Sequence, residues 1–576
     1  MTMVCLRKVS KPNKMTAKNI YEVFTKDSHI LKGHTAELKG VTYKGFQSYA
    51  DTTIQFRGLP YGSDTSGNNR FKYAELFTTS SKEIDCTKYG PACWQHPVGA
   101  RMIYEGLGVL LKEGLFPSTK KGSSLIYGDF SEDCLNLNLW TPKLDEEKRP
   151  VLVWIHGGAF KSGSNIECEL YNGNHLAQRG NVVVICLNYR FGMFGFNFPE
   201  ENRTNIALSD QILGLKWIQE NISQFGGDPN NVTIFGESAG GISVASLLGS
   251  PMAKGLFHKA ICQSGGAENM TKQEFNHLTI AATKSFKLNT SNTLRPEDLL
   301  TIEPDILVKK GSKIEETLEH NGSSKIGFMP IIDGKYICEE GTLNAIQSGK
   351  GSKIPLLVGS NAEEMKLFFA LLGWLSPFDE KTVLAAIRQR FNLVEINEPK
   401  ETYEKLKEIS EQLKALTEKK LQNSLNVTPK KKQILEALLT FLQFTIPSYE
   451  LAEAQNNAEC DVYSYILNYG SEKYGACHGI DLQLLWNFGH PNEDYFSNGK
   501  NKVISENPKA APLARFAESI QDAWIHFAWY GKPASIEKNE WKAFPNRMDL
   551  DLSSSTSNWN NDEMIIYWKS VRSIFK

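Results

Sequence analysis

No stretch of this chain approaches the roughly 20 consecutive apolar residues that a membrane-spanning helix needs, so none reads as a bilayer segment. An excess of one charge is missing as well: 64 basic side chains stand against 65 acidic ones, a net charge of -1. Without a basic excess there is no electrostatic footprint for nucleic acid or an anionic membrane surface, and neither partner is expected. The ten cysteines contain no CxxC pair and no Cys/His metal spacing, which argues against a structural zinc site and for buried thiols. Internal repeats and low-complexity tracts are also absent, so solenoids and disordered arrays are set aside. Met1 to Ile20 is basic and polar, and Met3-Val4-Cys5-Leu6 is too short for the apolar core of a secretory signal. The C-terminal Ser573-Ile574-Phe575-Lys576 carries neither an anchor nor a retrieval signal. A flexible leader is expected over 1–18, followed by one large domain over 19–576.

What is present is a chain of 576 residues, 41% hydrophobic and 22% charged, long enough for a very large α/β domain. Val232 to Phe235 reads as a buried strand and runs straight into Gly236-Glu237-Ser238-Ala239-Gly240-Gly241, after which Ile242 to Leu248 has helical spacing. A strand that turns sharply into a helix while lifting one hydroxyl out of the bend holds that serine in strained dihedrals, so Gly236 and Gly240 must be small. The bare G-x-S-x-G spacing arises by chance in roughly one chain of this length in five. A strand before it and a helix after it set this instance apart.

Around that turn the chain alternates. A strand pair is expected near Ala36 to Tyr43, and Leu135 to Trp140 alternates like a half-buried strand. Val151 to Ile155 is a continuous apolar run that ends at His156-Gly157-Gly158. Adjacent glycines there leave backbone N–H groups open to a ligand, as a developing oxyanion requires; a plain glycine turn is the alternative. Val182 to Leu187 is a second such run. A helix through Ile212, Leu215, Ile218 and Ile222 then stops near Gly226-Gly227-Asp228-Pro229. Strand, helix, strand in that order means parallel crossovers, hence a mostly parallel sheet with helices on both faces. Further strands are read at Phe257 to Gly266, Pro355 to Val358 and Val462 to Leu467. A Leu-, Lys- and Glu-rich helical insertion is read over about 365–455, and a glycine-flanked His478 follows.

The order of these motifs resembles the type-B carboxylesterase and cholinesterase family of the α/β-hydrolase fold. The likeness runs from Phe56-Arg57-Gly58-Leu59-Pro60-Tyr61 through Ser131-Glu132-Asp133-Cys134, Asn188-Tyr189-Arg190 and the serine turn to His478 and Trp541 to Pro545. The resemblance implies a large, mostly parallel central sheet with an inserted helical layer and a serine ester hydrolase without metal or organic cofactor. It implies Ser238 as nucleophile, His478 as base and Glu364 as acid. Gly157, Gly158 and Ala239 would supply the oxyanion hole. Ser264 would support the histidine network, although a buried hydrogen-bonding serine without a catalytic role is the plainer reading. The sequence departs from the family at one point: Met365 stands where glycine usually follows the acid, and Glu363 sits beside it.

The family likeness also implies a disulfide between Cys93 and Cys134, which conflicts with the lack of a signal peptide, because reducing compartments disfavour such bonds. A cytoplasmic location with two neighbouring thiols is the expectation, and secretion with a bonded pair is the alternative. Substrate choice follows from another absence. The loop Lys120 to Phe130 contains no tryptophan to hold a quaternary ammonium and carries two lysines that repel one. Phe368, Phe369, Leu371, Leu372 and Trp374 suit the wall of an apolar pocket instead, with plain core packing the alternative for most of them. Neutral, fairly apolar small-molecule esters are therefore expected as substrates. Amide, thioester or lipid hydrolysis by the same residues is one alternative, and a catalytically silent adhesion protein is another.

Overall fold

The structure, a computed structural model, describes residues 30–48, 52–95, 130–166, 170–196, 203–286, 295–320, 327–371, 379–391, 393, 399–471, 474–486, 510–536 and 538–574. The expected leader and most of the loop from Lys120 to Phe130 lie outside these residues, as do Leu372 and Trp374.

A 13-stranded sheet organises the described chain. Its strands are β1 (Ile30–Leu38), β2 (Val41–Ser48), β3 (Ile54–Pro60), β4 (Asn136–Thr141), β5 (Arg149–Ile155) and β6 (Val183–Leu187). They continue as β7 (Gly227–Glu237), β8 (Lys259–Gln263), β9 (Leu356–Asn361), β10 (Val462–Leu467), β11 (Asn546–Leu550) and β12 (Ser555–Asn558). The spatial order is β1-β2-β3-β4-β6-β5-β7-β8-β9-β10-β11-β12, with Glu83–Asp85 paired to β2. From β6 to β11 every neighbouring pair is parallel, and antiparallel pairs close both ends.

Parallel strands must be covered on both faces, and alternation along β5 shows how this is done. Val151, Val153 and Ile155 join one core with the helices α1 (Ile206–Asn221) and α2 (Ala239–Gly249). Leu152 and Trp154 join a second core on the opposite face with Phe516, Trp524 and Phe527. The same two-sided cover corrects the half-buried reading of β4, in which all six residues are buried. Its asparagines are tethers rather than solvent-facing groups: Asn138 Oδ1 accepts the Gly58 N–H at 2.9 Å, and Asn136 Nδ2 donates to Pro91 O at 2.8 Å.

A third core lies in the helical layer that follows β9. Its helices α3 (Met365–Leu371), α4 (Lys431–Thr440) and α5 (Ile446–Asn457) are joined to this layer by Phe369, Leu438, Leu439 and Ile446. A five-residue π-helical stretch, Phe441–Thr445, links α4 to α5, so the helix axis runs without a break into Pro447. Pro447 has no N–H to offer the carbonyl four residues back, and a widened turn relieves the clash that a proline ring makes there.

Eight cysteines fall among the described residues, all as free thiols and seven of them buried. Cys93 and Cys134 are among these, so the bond implied by the family likeness is absent here. Their side chains nevertheless hydrogen-bond to each other. That contact and burial both hold the Cys134 thiol in its neutral form.

Between β6 and α1 lies a fully buried ion pair. Arg190 Nε and Nη2 donate to Asp210 Oδ2 and Oδ1 at 2.8 and 2.7 Å, and Arg190 N donates to Oδ2 at 3.1 Å. A planar guanidinium meeting a carboxylate at two points is the strong form of the interaction, and removing one partner strands a buried charge. Arg190→Met should therefore lower the unfolding free energy by about 3–5 kcal/mol in denaturant titration. A change below about 1 kcal/mol would show that the pair is dispensable.

Candidate active site

Ser238 stands between β7 and α2 with φ 58° and ψ -123°, a conformation that a residue bearing a side chain adopts only when its surroundings force it. Glycines make the approach possible. A Cβ on Gly236 would lie 2.7 Å from both the Gly240 carbonyl carbon and Ile155 O, and one on Gly240 would land on Ile155 O. Helix α2 therefore packs backbone to backbone against the end of β5. The bend is pinned by Ser238 N donating to Gln263 O and Ile242 N donating to Ser238 O, both at 2.9 Å. Ser238 is half-buried while its neighbours are buried, so part of this residue stays open at the bend.

Glu364, three residues beyond the end of β9, is fully buried. Its Oε2 lies 2.7 Å from His478 Nδ1. Its Oε1 accepts two further hydrogen bonds, from Ser264 Oγ at 2.5 Å and from Asn361 N at 2.7 Å. Both bonds fix the plane of the carboxylate. The His478 loop is held to the same strand end by Asn361 Nδ2 donating to Cys477 O at 3.0 Å and His478 N donating to Glu364 O at 3.3 Å. Ser264 thus contacts Glu364 directly. The unusual Met365 also has a structural reason: it opens α3, packs into the third core and donates its N–H to Thr440 Oγ1 at 3.1 Å.

The other nitrogen, His478 Nε2, lies 3.1 Å from Glu237 Oε1. Among the described residues, no hydrogen bond joins Nε2 to Ser238 Oγ. Glu237 is the site residue that reading the sequence missed; within G-x-S-x-G its position is unconstrained, and nothing in the spacing says that its carboxyl is buried against His478. Burial pushes Glu237 up to about 8. Burial alone would lower the imidazole, but Glu237 and Glu364 outweigh it and hold His478 up at about 9.

The glycine loop after β5 faces the same point. A Cβ on Gly157 would lie 3.2 Å from Ser238 Cβ, so this backbone passes directly beside Ser238. Gly158, Ala159 and Phe160 all have positive φ, and Lys161 N and Ser162 N donate to Gly158 O at 3.0 and 3.1 Å, closing a tight turn. Ala239 is the first residue of α2, so its N–H has no partner within the helix. His156 is a support for the loop: Nδ1 donates to Gly157 O at 2.9 Å, the ring stacks on Tyr189 at 4.5 Å, and burial lowers its pKa to about 4, which keeps it neutral. Phe368 and Phe444 flank His478, with ring centroids 5.1 and 5.0 Å from the imidazole.

A parallel sheet whose strand ends bring together a strained serine, a carboxylate-bound imidazole and a glycine loop defines the α/β-hydrolase class. Within it, the chain belongs to the carboxylesterase family, whose sequence model matches residues 27–564. It is similar to a para-nitrobenzyl esterase of Bacillus subtilis (strain 168), 32% identical over 546 residues that cover 93% of this chain and 96% of the relative. Liver carboxylesterase 1 of Oryctolagus cuniculus is 27% identical, with 92% of this chain and 91% of that protein covered. Among solved structures, a thermophilic pNB esterase superposes with a TM-score of 0.73 at 29% identity, over 93% of this chain and all of the other. A Geobacillus stearothermophilus carboxylesterase gives 0.72 at 25% identity, over 93% and 99%. This is a carboxylic-ester hydrolase of the serine type.

Against burial, Glu237 and Glu364 hold His478 up at about 9, so activity should rise with pH as His478 loses its proton. Replacing Glu237 by Gln removes a carboxylate that holds the proton on the imidazole. The acidic limb of the kcat/KM profile should then move to lower pH; a limb that stays in place or moves upward would refute the coupling.

Proposed function

We propose that the chain hydrolyses neutral, fairly apolar carboxylic esters through an acyl-enzyme on Ser238, with His478 as base and Glu364 as its orienting acid. The observation that carries this reading is the 2.7 Å bond from His478 Nδ1 to a fully buried carboxylate, which leaves Nε2 turned toward the serine bend. With Nδ1–H donating to Glu364, Nε2 is the basic nitrogen, and it takes the Ser238 proton as Oγ forms a bond to the ester carbonyl carbon. The carbonyl π electrons move onto oxygen, and the N–H groups of Gly157, Gly158 and Ala239 donate hydrogen bonds to the oxyanion so formed. One such donor is worth about 3–4 kcal/mol in the transition state. The C–O bond to the alcohol then breaks, and His478 Nε2–H protonates the departing alkoxide. Water, deprotonated by the same nitrogen, repeats the attack and releases the acid and Ser238.

Ser238→Ala should fold normally and lose nearly all ester hydrolysis, and an organophosphate should modify the wild type once, on Ser238. Mapping of the adduct to another serine by mass spectrometry would overturn the assignment. Glu364→Gln should lower kcat by about 10⁴-fold through loss of the productive imidazole tautomer.

The substrate class rests on the faces that Phe368 and Phe444 present beside His478, where both rings are half-buried, so part of each is open. Apolar surface next to the reacting carbonyl favours apolar groups by about 25 cal/mol per Å² removed from water. The printed name of the bacterial relative, a para-nitrobenzyl esterase, points to the same kind of group. Acetylthiocholine should accordingly have a lower specificity constant than a neutral thioester of the same shape, and the reverse order would sink the idea. Long acyl esters and an anilide assayed on the same sample separate ester hydrolysis from lipid and amide hydrolysis.

A further inference from the structure

Glu363 and Glu364 are adjacent in sequence but face different surroundings. Glu364 is buried at the end of the sheet, whereas the Glu363 side chain is 40% exposed and reaches toward the loop that carries His478. Glu363 N donates to Ala476 O at 3.0 Å, and Ala476 N donates back to Glu363 Oε2, also at 3.0 Å. The two residues, 113 positions apart, therefore exchange a two-point bond, main chain in one direction and carboxylate in the other. One residue further along the acid segment is Glu364, and two residues further along the base loop is His478. The pairing of Glu363 with Ala476 therefore sits immediately before the contact between acid and base.

The backbone around it is built to that contact. Gly475 has φ 58°, and a Cβ there would land on Glu363 Oε2, so any side chain at 475 would push the carboxylate away. The loop is closed behind it by Ser471 N donating to Gly475 O at 3.1 Å and Gly475 N donating to Ser471 O at 2.8 Å. Glu363 Oε1 also pairs with Lys366 Nζ at 2.5 Å, but both side chains are a third or more exposed, and an ion pair in that setting contributes little.

We propose that Glu363 is a positioning residue: its carboxyl oxygen, by accepting the Ala476 N–H, sets how close the His478 loop stands to Glu364. The role calls for an acceptor at that position and not for a charge. It rests on the reading of His478 and Glu364 as base and acid. Loss of the acceptor frees the loop at Ala476 while leaving substrate contacts untouched, so the deficit falls on the chemical step.

Three variants test this with a p-nitrophenyl ester and an organophosphate. Glu363→Gln keeps an acceptor and should hold kcat within about twofold of wild type. Glu363→Ala should lower kcat by about 10- to 100-fold with KM within about twofold, the scale of a misplaced catalytic group. Its labelling rate at Ser238 should slow in proportion. Lys366→Met, which removes only the ion pair, should keep kcat within about twofold. The proposal is overturned if Glu363→Ala retains wild-type kcat, or if Glu363→Gln falls as far as Glu363→Ala. A wild-type protein that neither hydrolyses the ester nor takes label at Ser238 would remove the underlying reading and this proposal together, and the two failures are told apart by that wild-type control.

Discussion

The close approach of helix α2 to the end of β5 is the constraint on which the rest of the site depends. With no side chain on Gly236, Gly240 or Gly157, three backbone segments meet within van der Waals distance of Ser238. Any Cβ at these places would push the strand and helix apart and let the serine relax out of its strained dihedrals. The strain, of order 1–3 kcal/mol for such a residue, is held in place by a sheet that is buried on both faces and by the Ser238 N–H bond to Gln263 O. The conformation that exposes the hydroxyl is therefore imposed by packing rather than preferred by the residue.

A second constraint is electrostatic. His478 is buried between carboxylates, Glu364 on one nitrogen and Glu237 near the other, with Asp481 close by. Buried charges of one sign are tolerable only when bound to donors or when one of them keeps its proton. Glu364 has donors from Ser264, Asn361 and His478. Asp481 accepts from Gln263 at 2.7 Å, and burial raises its pKa. Burial likewise raises Glu237, to about 8. Meanwhile Gln263 sits at the junction of these constraints, because its carbonyl holds the serine bend and its amide holds Asp481.

The helical layer completes the site from outside the sheet. Thr440, at the end of α4, accepts the Met365 N–H one residue after the acid. Ser448 in α5 lies within hydrogen-bond distance of Gly265 O and Gly359 O, at 3.2 and 3.3 Å. The layer is thus tied to the segments around Ser264 and Glu364. The π-helical turn before Pro447 carries Phe444 to the imidazole, so a backbone irregularity imposed by proline places one of the two rings beside His478.

The sequence by itself determined the sheet and its bend. Val151 to Ile155, Val183 to Leu187 and Val462 to Leu467 are legible as strands because parallel strands covered on both faces need unbroken apolar runs. The serine turn is legible because its steric demand leaves glycines at fixed spacing. The pattern misled at β4, where Leu and Asn alternate as in a half-exposed strand, because period alone does not distinguish an asparagine facing water from one tethering a buried loop. What only the tertiary structure decided is which polar groups meet. Ser264 reaches Glu364 across 100 residues, Glu363 reaches Ala476 across 113, and Glu237 turns its carboxyl to His478. Such contacts have no sequence period, since they arise where separate strand ends converge. Their partners are set by the order of strands in the sheet, a global property that no local run of residues encodes.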